Sequence, residues 1–228
     1  MGTPDMAFER FRDRSDAGRQ LAQRLGEFVR QPGVIVLALP RGGTPVAYEV
    51  ARALDAPLDV YMVRKLGVPW NEEYAMGAIA SGGEQWLDAR VVHALGISRS
   101  DIENVVAREQ RELARRERTY RRDRPPPALR GRTVILVDDG LATGATMRVA
   151  LRAVRRKQPA RTVAAVPVAS SDACELLRSE ADAVICAQVP EPFLGVGRWY
   201  VDFSQTSDEE VCALLDDAAL HGHGALSP

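Results

Sequence analysis

An α/β fold with a mostly parallel central sheet and helices on both faces is predicted by two features of the chain. The runs "VIVLAL" at 34–39, "TVILV" at 133–137 and "TVAAVPVA" at 162–169 are continuously apolar and rich in β-branched residues. A strand buried on both faces reads this way. Amphipathic helical stretches separate the runs, and strand–helix alternation implies parallel strands joined by crossovers. At 228 residues the chain can bury one such core and carry a small appendage.

Each element has its own signal. Leu21, Leu25 and Phe28 recur at helical spacing, so a helix is expected from Ser15 to about Arg30, stopped by Gln31, Pro32 and Gly33. After the first strand, Val46, Val50, Ala51 and Leu54 mark a helix face, with Thr44 as expected N-cap and Pro45 as first helical residue. Leu58–Val63 reads as the next strand, and "AMGAIA" and "QWLD", divided by "SGGE", read as a hairpin. Residues 100–122 form a long charged helix that Pro125–Pro127 end. Met147, Ala150, Leu151 and Val154 line the helix after Thr146. "AVICAQV" at 183–189 is a further strand, reached through a short helix near Cys174. Ser207 and Glu210 make a capping box for a last helix with Val211, Leu214, Leu215 and Ala218 on one face.

Bulk properties restrict function. The net charge of −1 gives no reason to expect nucleic acid or an anionic membrane as partner. No apolar run approaches the ~20 residues of a bilayer span, and the charged N-terminus lacks a signal-peptide core, so a cytoplasmic protein is expected. Cys174, Cys186 and Cys212 show no metal-knuckle spacing and read as buried free thiols. His221 and His223 lie in a tail expected to fray.

Two loops carry the chemistry. In "VILVDDGLATGATM" a buried strand ends in Asp138 and Asp139, and Ala142, Thr143, Gly144, Ala145 and Thr146 lead into a helix. Hydroxyls, backbone N–H groups and the helix N-terminus suit one phosphate. Without a lysine after the glycine this is no Walker A loop. "PRGG" after the first strand offers Arg41 and the N–H groups of Gly42 and Gly43 to a second anion, and Arg64 and Lys65 are expected at the same rim. Carboxylates between two anion sites suit a sugar diol and the magnesium ion that accompanies a diphosphate.

These residues resemble a known family. "VILVDDGLATGAT", "LPRGG" and "VRKLG" are similar to the signature loops of type I phosphoribosyltransferases, which use phosphoribosyl pyrophosphate (PRPP). The whole chain is similar to a bacterial group of that family, sometimes fused to a hydrolase, although no GxSxG elbow occurs here. The resemblance implies that Asp138 and Asp139 bind the ribose hydroxyls, directly or through water on Mg²⁺. It implies that Ala142–Thr146 hold the 5-phosphate, and that Arg41, Gly42, Gly43, Arg64 and Lys65 hold the pyrophosphate. It further implies a cis peptide at Pro40–Arg41. Arg41, Lys65, Asp138 and Asp139 are the expected catalytic residues. Phe193, Trp199 and Asp202 resemble acceptor contacts of a C-terminal hood. Ala142 replaces the aspartate of 6-oxopurine enzymes, and the next strand lacks their lysine, so a 6-oxopurine acceptor is not expected.

The expected organisation is one domain over residues 1–220. Hood elements fall at about 66–88 and 189–206, the charged helix at about 100–122 is an insertion, and 221–228 is a flexible tail. The expected reaction is Mg²⁺-dependent transfer of 5-phosphoribosyl from PRPP to a small nitrogenous acceptor, with release of pyrophosphate. The alternative is a catalytically silent PRPP or nucleotide sensor, or a nucleic-acid-binding regulator. The arginine-rich helix reads as ion-paired through Glu109, Glu112 and Glu117 rather than RNA-binding, or as a lid or dimer contact. A homodimer is possible on this reading.

Overall fold

A computed structural model describes residues 9–122 and 124–221. In chain order the elements are α1 (Arg14–Arg24), β1 (Val34–Ala38), α2 (Gly43–Leu54), β2 (Leu58–Val60), β3 (Val63–Val68), β4 (Asn71–Ala80) and β5 (Glu84–Leu87). Then follow α3 (Ala89–Ala94), α4 (Arg99–Arg121), β6 (Thr133–Val137), α5 (Ala145–Arg156), β7 (Arg161–Val168), α6 (Ser171–Arg178), β8 (Ala183–Gln188) and α7 (Asp208–His221). The last residues of the expected tail, 222–228, lie outside the described residues.

The central sheet is wholly parallel, in the order β2-β1-β6-β7-β8. Its buried strands alternate sides, as the pleat requires. Val34, Val36 and Ala38 of β1 face one core with Ile135 and Val137 of β6. That core includes residues of α1, α2, α4 and α7. Ile35 and Leu37 face the other core with Val134 and Leu136, under α5 and α6. Each such valine, leucine or isoleucine side chain, fully removed from water, contributes roughly 1.5–3 kcal/mol. Gly18 permits the close approach of α1 to α2, because a Cβ there would lie 2.6 Å from the Val46 carbonyl.

Three local expectations change. Leu58–Val63 is not one strand: β2 ends at Val60, and Val63 begins a separate antiparallel sheet, β3-β4-β5. An apolar run alone cannot show that its two halves pair with different neighbours. The first helix ends at Arg24, and a 3₁₀ turn at Gly26–Phe28 follows. Thr44 does not cap α2; Gly42 occupies the N-cap position, and the buried Thr44 hydroxyl has no hydrogen-bond partner. Cys174 and Cys186 are free thiols, as expected, and bring their sulfurs to 2.9 Å across α6 and β8.

The strand order places a switch point between β1 and β6. From β1 the chain moves one way to β2, and the later strands build outward the other way. Crevices at such points, beyond the carboxyl ends of the strands, bind ligands in open α/β sheets.

Candidate functional site

The loops after β1 and β6 meet at this switch point. Leu39 donates its N–H to Val137 O at 2.8 Å, holding the two strand ends together. The Pro40–Arg41 peptide is cis, as the family resemblance implied. Gly42 and Gly43 then start α2 with no side-chain cap, which leaves the helix N-terminus open to an anion. A Cβ at Gly43 would lie 2.7 Å from Val137 O, and one at Gly42 would overlap Asp139 Oδ2. Only glycines let this loop lie directly against the carboxylates.

Asp138 and Asp139 are held differently. Asp138 Oδ1 accepts the Asp139 N–H at 2.9 Å. Burial pushes its carboxyl well above the usual range, and the adjacent Asp139 charge adds to the effect. Burial also raises Asp139, while Arg14 opposes that shift. Arg14 reaches Asp139 Oδ2 through Nε at 2.9 Å and Nη2 at 2.8 Å. Its guanidinium also donates to Ser204 O at 2.6 Å and stacks 4.0 Å over the Phe203 ring. The Tyr200 hydroxyl donates to Asp139 O at 2.6 Å. Tyr200 packs between Phe11 and Phe203, with ring centroids at 5.4 and 4.9 Å.

The loop after the carboxylates is pinned along its length. Leu141 N–H bonds Val168 O at 2.9 Å, and Ser170 Oγ donates to Ala142 O at 2.8 Å. Gly144 has φ +69°, a left-handed conformation that favours glycine, and it starts α5 without a side-chain cap. Ala142, Thr143, Ala145 and Thr146 are exposed around it. An open groove of about 940 Å³ runs from Ala142 and Thr143 past Ser170 and Asp172 to Glu191 and Phe193.

The other expected site residues are dispersed. Arg41 lies 3.7 Å from Asp208 Oδ1 at the start of α7, and the Tyr120 hydroxyl also donates to Asp208, at 2.6 Å. Arg64 is ion-paired with Glu109 of α4 at 2.5 Å. Lys65 follows it on β3 and is exposed. Adjacent strand residues face opposite ways, so Lys65 lies on the other face of β3 from Arg64. Phe193 borders the groove, and both Phe193 and Trp199 pack against the cluster of Phe11, Ala17, Val168 and Tyr200. Asp202 is exposed, and its carboxylate accepts the Ser204 N–H at 2.9 Å. That bond holds its pKa below the usual value.

Arg14, Tyr200 and Phe203 were not expected at the site. Arg14 is the first residue of a helix that only apolar spacing marks in the sequence. A charge near the first turn gave no indication that it reaches a residue 125 positions away.

Two uncapped helix N-termini flanking a carboxylate pair, on a five-stranded parallel sheet with a small antiparallel sheet beside it, define a type I phosphoribosyltransferase fold. The chain belongs to that family: the phosphoribosyl transferase domain matches residues 14–203. Proteins of two Mycobacterium tuberculosis strains, each named "Putative phosphoribosyl transferase", are 46% identical over 208 residues and cover 91% of the chain. The match takes in 47% of their own length, so the chain spans about half of these curated relatives. The crystal structure of TT1426 from Thermus thermophilus has 46% identity and a TM-score of 0.81. That similarity covers 91% of this chain and 98% of that one.

Proposed function

We propose that this domain binds PRPP and transfers its 5-phosphoribosyl group to a small nitrogenous acceptor, releasing pyrophosphate. The observation that carries the reading is the packing of Gly42 and Gly43 directly against Asp139 and Asp138. One anion loop, one diol-binding pair and a second anion loop then follow each other along a single crevice. Ala142–Thr146 take the 5-phosphate, Asp138 and Asp139 the ribose hydroxyls, and the Arg41–Gly43 loop the pyrophosphate.

Among the described residues no cluster of three or more potential ligands could hold a metal alone. Two carboxylates in a crevice suit Mg²⁺, which keeps several waters and takes further oxygens from substrate phosphates. Asp138 and Asp139 would hold it, and bound there it would offset charge on the leaving pyrophosphate. The chain's own residues position and shield. Arg14 holds Asp139 facing the Gly42 loop. Arg41, with the loop N–H groups, stabilises charge that develops as the bond from C1 to the diphosphate oxygen breaks. The acceptor nitrogen forms the new bond to C1 from the groove beside Phe193.

A second reading, in which the same site senses PRPP or a nucleotide without turnover, draws on the engagement of Arg41 by Asp208 and of Arg64 by Glu109. Calorimetry with PRPP and Mg²⁺ tests the binding common to both. Wild-type protein should bind, and Asp138→Asn with Asp139→Asn should weaken binding; equal affinities would remove the diol assignment. Pyrophosphate release across a panel of bases and amines then separates enzyme from sensor.

A further inference from the structure

Leu39, Pro40 and Met62 border a second, small cavity where the loop after β1 meets α4. Four residues with polar side chains line it from separate elements. Tyr61 follows β2, Arg64 lies on β3, Arg116 on α4, and Thr146 in the first turn of α5. The cavity holds about 30 Å³, room for a single water-sized oxygen and not for a whole phosphate. Tyr61 is 2% exposed, yet its hydroxyl has no hydrogen-bond partner. A buried hydroxyl without a partner is destabilising, so it calls for an explanation.

The two arginines are fixed at this place by their own carboxylates. Glu109 takes Nε and Nη2 of Arg64 at 2.5 Å. Glu112 takes Nε of Arg116 at 2.7 Å, a pair that does not commit the Nη groups. The helix carrying Arg116 is itself anchored: Arg121 bonds Asp59 at 3.0 Å and Val60 O at 2.5 Å, and Tyr120 bonds Asp208. The charged helix is thus a fixed roof beside the Pro40 loop.

We propose that Arg116, with the Tyr61 hydroxyl, seats one terminal oxygen of the leaving diphosphate. This rests on the PRPP reading and deepens it, by giving the inserted helix a binding residue. Arg116 donates from Nη, Tyr61 donates its hydroxyl, and Thr146 links the seat to the 5-phosphate loop. An anionic oxygen supplies the acceptor that the phenol lacks.

The probes are inorganic pyrophosphate with Mg²⁺, and ribose 5-phosphate, which has no diphosphate. Arg116→Ala should weaken pyrophosphate binding about tenfold or more, the effect of losing one hydrogen bond to a charged group. Arg116→Lys should recover part of the loss, and ribose 5-phosphate affinity should not change. Tyr61→Phe should melt no lower than wild type and still bind pyrophosphate several-fold more weakly, which keeps the test valid if Arg116→Ala misfolds. Unchanged pyrophosphate affinity in a folded variant overturns the proposal, as does an equal loss for both ligands. Wild-type protein that binds ribose 5-phosphate but not pyrophosphate overturns this seat alone. Wild-type protein that binds neither ligand nor PRPP overturns the functional reading together with it.

Discussion

Arg14 and Asp139 form a two-donor ion pair across 125 positions of chain, and that pair faces the loop containing Gly42. Both side chains are largely buried, at 11% and 17% exposure. Removing one partner leaves a buried charge uncompensated, which costs more than the pair itself contributes. Arg14→Ala should therefore lower stability by about 3 kcal/mol. Arg14→Lys should recover part of that, since it restores the charge without the forked geometry. Urea denaturation gives both values; an unchanged midpoint for the alanine variant would show that the pair does not hold the fold.

Gly42→Ala should fold and lose PRPP affinity. Its backbone is right-handed helical, so alanine meets no torsional strain. The new methyl would collide with Asp139 Oδ2, and Arg14 restrains the carboxylate from moving aside. A drop of at least tenfold by calorimetry is expected, on the order of 1.4 kcal/mol. Wild-type affinity in this variant would mean that the loop does not depend on contact with Asp139.

Arg41→Ala should slow turnover more than it weakens ground-state binding, because a leaving-group contact strengthens as charge develops. The loss in kcat/KM is expected at about 3 kcal/mol, by analogy with removing one oxyanion donor. Melting should change little, since Arg41 is partly exposed and its contact with Asp208 spans 3.7 Å. Lys65→Ala is the paired control. Lys65 is exposed on β3 and faces away from Arg64, so its loss should cost less. Equal losses for the two variants would show that Lys65 holds the pyrophosphate as firmly as Arg41 does.

The arginine-rich helix should not bind RNA tightly. Arg99 pairs with Glu103, Arg115 with Glu112, and Arg121 with Asp59 and Glu117. Few of these cations are left to displace counterions from phosphates. Fluorescence anisotropy with a labelled RNA at physiological salt should show no micromolar binding. A log–log salt slope of about −4 or steeper would indicate a basic surface that these pairs do not neutralise.

Asp182 should give the β7–β8 edge a pH-dependent clamp. Its carboxylate accepts Thr162 N–H at 2.7 Å and Thr162 Oγ1–H at 2.8 Å, and these bonds lower its pKa from the ordinary 3.8. A depressed folded pKa gives stability that is fully present above the unfolded value and is lost as pH falls through the folded one. Asp182→Ala should be about 0.5–1 kcal/mol less stable than wild type at pH 7, because the half-exposed carboxylate is screened by water. That gap should shrink as pH falls below the ordinary value. A gap of the same size at pH 7 and pH 3 would show that the charge is irrelevant.

Short-range chemistry was legible in the sequence. Continuous apolar runs marked β1, β6 and β7 because both of their faces are buried. The Asp138–Thr146 loop could be read because strand, acids, glycine and threonines are contiguous, and Gly144 takes the left-handed conformation expected of such a turn. Pairing between distant segments was not legible. Whether Val63 continues β2 or begins a second sheet depends on which edge accepts its hydrogen bonds, and local hydropathy is blind to that. The capture of Asp139 by Arg14, the contact of Cys174 with Cys186, and the delivery of Arg116 to a cavity beside Pro40 are likewise products of packing. Each joins residues whose own neighbourhoods carry no sign of the partner, because burial and charge compensation act through space once the sheet and its helices have assembled.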